Sequence, residues 1–506
     1  MRRKLPALLE PRVLAVLFLL LTSAVPDCGH SAERSATEIA DAVEHKEFAK
    51  AGQLIDAKAA VNAKQNDGMT ALHWAAFHSR ESTVKHLLSA GADVNQPNNY
   101  GVRPLSIACL NGSEPIVSLL LEYGADPNSS QDGSESAVHT ASRTGSVGTV
   151  TALIKAGGKP NPKDHRGQTA LMWAAAEGNT EVVQLLLKHH VDPAETVPSG
   201  FNALTFAIRN GHTDVAKVLI QAGMDVNQPT STVGAKKNNP DSGMSPLMLA
   251  IENGHFELAL MLLSEGANPN DDRTGFAPLH ALSWVRKPEI GDNQRGNPPP
   301  QGSGNLTSLE FAKQLIAHGA DVNLPKRSNG GSRLRISVKG ATPFLCAAST
   351  ADVAYMEVLI ALGADPSATT AKRQNALMMA AGIDEGANAD GPATADEHQA
   401  AVLYVLSLNA NELNALDANN QSIMHAAAYK SLPKVIHLFD QRGADIDVWN
   451  QPNKQGRTPL AIARGFRPGN FKPDFATVRA IEQVMRKHKV TIPLPQQKAP
   501  AGWKAK

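Results

Sequence analysis

Cysteine is nearly absent from this chain: three in 506 residues. That excludes a small disulfide-stapled scaffold, and no C-x-x-C pair offers a zinc or redox site. Aromatic residues make up 5%, too few for a large core built on rings. No charge dominates either, since 49 Lys and Arg stand against 48 Asp and Glu, so the generic electrostatics of nucleic-acid or anionic-membrane binding are missing. A P-loop, a G-x-S-x-G elbow and an H-E-x-x-H pair are absent too, which removes the common nucleotide, hydrolase and zinc-protease chemistries. Beyond the N-terminus no apolar run reaches the roughly 20 residues needed to cross a bilayer.

The N-terminus is the exception. Arg2, Arg3, Lys4 and Arg12 precede the apolar run Val13 to Leu21, and the small residues Thr22, Ser23 and Ala24 follow it. This pattern reads as a signal peptide over 1–32, with an exported chain, periplasmic or secreted, as the expectation. Cys109 and Cys346 lie too far apart in the register to meet, and read as small buried hydrophobes.

What the chain has in abundance is repetition. Thr70-Ala71-Leu72-His73-Trp74-Ala75 is followed about twenty residues later by Gly91-Ala92-Asp93-Val94-Asn95, and the design returns at Arg103 and Gly124. Register points fall at Thr37, Thr70, Arg103, Ser136, Thr169, Asn202, Ser245, Ala277, Thr342, Asn375, Ser422 and Thr458. The threonine-type residue suits an N-cap. Proline follows it at Pro104, Pro246, Pro278, Pro343 and Pro459, at the first helical position, where a missing N–H costs nothing. Val84, Leu87 and Leu88 form one apolar stripe on a second helix, and Gly91 supplies its left-handed C-cap.

A 33-residue period with a T-P-L-H-x-A-like block resembles the ankyrin repeat family. The resemblance covers about Ser35 to Lys487. It implies an all-α repeat solenoid with short β-hairpin connections, an ankyrin-type stack of about twelve units. The expected organisation is a capping repeat at 33–65, regular repeats at 66–240 with an insertion at 230–240, repeats with further insertions at 241–453, a capping repeat at 454–488 and a tail at 489–506. Such families bind macromolecules, usually proteins, through hairpin tips and first helices, without covalent chemistry.

The steps are 33 residues as far as Asn202 and irregular afterwards, so binding is expected in the modified units, near insertions at about Thr230 to Pro240, Arg286 to Leu306, Leu324 to Lys339, Gly382 to Glu397 and Gly465 to Pro473. Phe201, Met244 and Phe276 occupy successive tips and read either as a partner-binding stripe or as packing between tips, with Arg209 and Arg143 as polar rim. Trp284 opens an insertion and is a candidate anchor, or lies buried under its own loop. Lys326, Arg327, Arg333 and Arg335 form a basic finger suited to an acidic protein surface, if it is more than a solvated loop. The recurring His73, His139, His280 and His425 lie several layers apart and cannot converge on one ion, so they read as framework. His189 and His190 read as a helix C-terminus, where histidine is favourable. The expected function is a non-catalytic, monomeric protein-binding scaffold with no cofactor, no metal, no nucleic acid and no membrane span after cleavage. The alternatives are an envelope enzyme whose site is built from the inserted loops, and a structural spacer or protector of an envelope enzyme.

Overall fold

The computed structural model describes residues 37–130, 135–230, 243–288, 300, 302–327, 339–383, 393–408, 412–466 and 472–494. The signal-peptide expectation at 1–32 lies outside them, as do most of each inserted loop, Arg333, Arg335 and the tail from 495. The chain divides into two compact units, Met1–Asp126 and Pro127–Lys506.

In the first unit the helices are α1 (Glu38–Glu44), α2 (Phe48–Asp56), α3 (Ala71–Phe77), α4 (Glu81–Ser89), α5 (Pro104–Leu110) and α6 (Glu114–Glu122). The second unit begins with α7 (Ala137–Thr144), α8 (Val147–Lys155), α9 (Ala170–Glu177), α10 (Thr180–Lys188), α11 (Ala203–Asn210) and α12 (Thr213–Gln221). It continues with α13 (Pro246–Glu252), α14 (Phe256–Ser264), α15 (Pro278–Arg286), α16 (Ser308–Ala317), α17 (Pro343–Ser349) and α18 (Val353–Ala361). The last described helices are α19 (Ala376–Ala380), α20 (Ala395–Ser407), α21 (Ile423–Tyr429), α22 (Pro433–Gln441), the single turn α23 (Ile446–Trp449), α24 (Pro459–Ala463) and α25 (Phe475–Lys487). Every register point read from the sequence is followed at once by a helix.

Helices this short are unstable alone, because nucleation costs more than one or two turns return. Packing supplies the difference. The first helix of a pair is covered almost all round, with Ala71 to Ala76 of α3 all buried, and alanine there lets neighbouring backbones approach. The second helix buries one stripe, Val84, Leu87 and Leu88 in α4, each worth about 2 kcal/mol of apolar transfer. Within each unit, first helices pack on first helices and second on second. Caps set the boundaries: the hydroxyls of Ser245, Thr342 and Thr458 accept the N–H of Met248, Leu345 and Ala461.

The expected β-hairpin connections do not form. Among the described residues there is no strand, and only the isolated bridges Ser130–Ser136 and Lys163–Thr169 appear. At four of the turns the reason lies in the Asn or Asp that opens them. Asn98 N–H donates to the carbonyl of Val102 at 2.9 Å, but the Val102 N–H that would complete a ladder pair donates instead to Asn98 Oδ1, at 2.9 Å. Asp164 takes the Gln168 N–H in the same way, Asp417 that of Gln421, and Asn453 that of Arg457. Neighbouring turns then share a single backbone bond, such as Asn99 N–H to Asp67 O at 3.0 Å. These four connections are side-chain-closed turns.

Candidate functional site

Seven residues after each register point the chain reaches the exposed end of a first helix. In the second unit this position holds Arg143, Ala176, Arg209, Glu252, Trp284, Ser349, Gly382, Tyr429 and Gly465 in turn. Arg143, Arg209, Glu252 and Trp284 are all half-buried. The buried layer beneath them is apolar, with Trp173, Phe206, Leu249 and Phe276 each less than a tenth exposed.

Trp284 sits edge-on against Phe276, ring centroids 4.9 Å apart at 87°, a geometry that aligns the positive edge of one ring with the face of the other. Phe276 thereby holds the indole in place with part of it outward. Four pairs earlier, the Arg143 guanidinium lies over Trp173, 5.6 Å from the ring centroid, and reaches Glu135 at 3.6 Å. Arg209 makes no ion pair among the described residues, and its backbone carbonyl accepts a bond from His255 Nε2 at 3.0 Å.

Other residues singled out by the sequence are placed differently. Phe201, Met244 and Phe276 are 8, 4 and 6% exposed, so they are the foundation of this face and not an apolar stripe upon it. With no second hydrogen-bonded strand to lift a tip clear of the stack, each side chain folds inward; Phe201 packs on Phe206 at 5.5 Å. Lys326 is 2% exposed, with its backbone bonded to Ala341 and Gly340, and is no part of a solvated basic finger. Arg327 is exposed but turned back on its own stack, pairing with Asp272 at 2.6 Å. Arg333 and Arg335 lie outside the described residues.

The motif histidines are framework. In His280, Nδ1 accepts the Ala277 N–H at 3.1 Å and Nε2 bonds the Ala341 carbonyl at 3.1 Å. His73, His139 and His425 make the same link, to Val102, Gln168 and Arg457. Burial holds the imidazoles of His73, His280 and His425 down to about 4. Among the described residues no group of three or more His, Cys, Asp and Glu could hold a metal ion, and no helix is long and apolar enough to cross a membrane. Cys109 and Cys346 are buried.

Sequence reading missed what braces this same edge, at the turns between first and second helices. The far end of the 286–306 insertion returns across the turn between α13 and α14: Ser303 N–H donates to His255 Nδ1 at 2.9 Å and Asn305 N–H to Glu257 at 2.8 Å. A Cβ on Gly302 would stand 1.7 Å from the Gly254 carbonyl oxygen, which explains glycine there. Next to it, Arg286 forks onto Asp352 at 2.7 and 3.0 Å and donates to Ser308 at 2.6 Å. Lys287 reaches Glu397 in the pair after next. Gly-Ser-Gly at 302–304 and paired basic residues at 286–287 were the only sequence signals.

Comparison with known proteins places this architecture. The family described as ankyrin repeats (3 copies) matches residues 39–131 and 136–230, and the ankyrin repeat matches 242–273. No curated protein matches the chain. Among solved structures, the ankyrin repeat domain of human ASB11 is similar at 22% identity, covering 50% of this chain and 99% of that one with a TM-score of 0.39.

Proposed function

We propose that the chain, whose residues 39–131, 136–230 and 242–273 match ankyrin-repeat models, is a non-catalytic protein-binding scaffold whose contact face is the row of first-helix ends Arg143, Arg209, Glu252 and Trp284. One observation carries the reading: Trp284 is half-buried and braced at 4.9 Å by the buried Phe276. A rigid aromatic held this way loses little rotamer freedom on binding and so makes an efficient anchor. The flanking arginines and Glu252 favour a polypeptide of mixed charge over a purely apolar partner. Export, to a periplasm or out of the cell, is part of the proposal and rests on the sequence at 1–32 alone.

The test is affinity capture of proteins from source cells by the full chain, by Trp284→Ala and by Arg209→Ala. A partner recovered by the parent and lost from both variants, with circular dichroism unchanged, supports the face. Equal recovery by all three chains refutes it.

A further inference from the structure

The outer edge of the stack is clamped at most boundaries by an asparagine. In the first unit Asn95 donates its amide to Gly124 O at 2.9 Å and accepts Asp126 N–H at 2.9 Å. In the second unit Asn128 holds Gly157 and Lys159, Asn227 holds Gly266 and Asn268, Asn270 holds Gly319 and Asp321, and Asn323 holds Gly363 and Asp365. Each clamp is a two-point bond from the end of one helix pair to the next, and it stiffens the boundary it spans.

The series fails on both sides of the pair α9–α10, and once more after α18, where Ser367 stands in register and bonds its own Asp365. Asn161 is in register, but its Oδ1 accepts the Leu171 N–H at 3.0 Å instead of bonding the following pair. The next residue in register is Ala194, which has no amide to offer. Between them His190 holds the left-handed cap with φ +57°, where the neighbouring pairs use Gly157 and Gly223 at +94° and +97°. A side chain with a Cβ is strained there. From α11 onward the stack is braced twice more, by the 302–305 segment over His255 and Glu257 and by the reach of Lys287 to Glu397.

We infer that the boundary between α9–α10 and α11–α12 is a built-in opening point, where the stack flexes between a regular and a braced segment. It falls between Arg143 and Arg209, so its opening changes the length of the first-helix row. The inference stands on the clamp pattern and does not depend on what the row binds.

Spin labels placed on exposed second-helix ends test it in the full chain. Lys188→Cys with Gln221→Cys reports across the unclamped boundary, and Ser264→Cys with Ala317→Cys across the boundary held by Asn270. The distance distribution across 188–221 is expected to be about twice as broad, as for a low-stability segment beside a protected one. Ala194→Asn, which restores an amide in register with Gly223 and Asp225, is expected to narrow it to the control width, and Asn270→Ala to broaden the control. Equal widths in the parent chain, or a width across 188–221 that Ala194→Asn leaves unchanged while Asn270→Ala broadens the control, would overturn the inference.

Discussion

Acid should dismantle the stack through its histidines, and His280 gives the cleanest case. Buried completely, its imidazole is held at about 4, first by desolvation and then by the neighbouring Lys326 charge. Its bonds define the neutral tautomer: Nδ1 must stay bare to accept the Ala277 N–H, leaving Nε2–H for the Ala341 carbonyl. A second proton would set two N–H groups against each other. In the unfolded chain the same ring titrates near its ordinary 6.5. The folded pKa is the lower one, so the unfolded state binds more protons below pH 6.5. The stabilisation is complete above that value and is lost as pH falls toward 4. The loss is about 2 kcal/mol at pH 5 and about 3 kcal/mol at pH 4 for this one residue, from a slope of about 1.4 kcal/mol per unit. Gln in its place keeps a donor for Ala341 and does not titrate. Urea midpoints of the parent and His280→Gln, measured from pH 7.5 to 4.5, should therefore converge as pH falls, whatever the offset at neutral pH. Parallel curves would show that the proton on His280 is not coupled to folding.

The remaining predictions concern the braces. Asp352→Ala leaves the 17%-exposed Arg286 side chain without its forked partner, and should cost about 3 kcal/mol in denaturant titration, the usual penalty for orphaning a buried charge; a loss below 1 kcal/mol would mean water replaces the carboxylate. Asn227→Ala removes the bonds to Gly266 and Asn268 and should cost about 1–2 kcal/mol, with faster amide exchange at Asn268. Gly302→Ala cannot keep a Cβ 1.7 Å from the Gly254 oxygen, so the Ser303 amide, now held on His255, should exchange with solvent much faster while helices α13 and α14 stay protected.

The helices were legible because their signals are local and repeated: a capping hydroxyl, proline at the first position, alanine on the buried side, glycine at the end. The histidines were legible as framework from spacing alone. What failed depended on where a single hydrogen bond goes. Asn98, Asp164, Asp417 and Asn453 resemble hairpin-turn residues in sequence, yet their side chains take the N–H that a ladder needs. Trp284 is half-buried against Phe276, a relation between residues eight apart that no periodicity marks. The clamp series was present in the sequence as Asn95, Asn128, Asn227, Asn270 and Asn323, but its meaning appears only when the carbonyl it reaches is known.

The contact face itself is tested most directly by a photo-crosslinking amino acid placed at Arg209 and, separately, at Lys217 on the exposed side of the second helix α12. Irradiated in source cells, the chain labelled at 209 should yield a discrete protein adduct that disappears when Trp284→Ala is added, and the chain labelled at 217 should yield none. An adduct from 217 alone, or one from 209 that is indifferent to Trp284, would contradict the assignment of the first-helix row as the binding face.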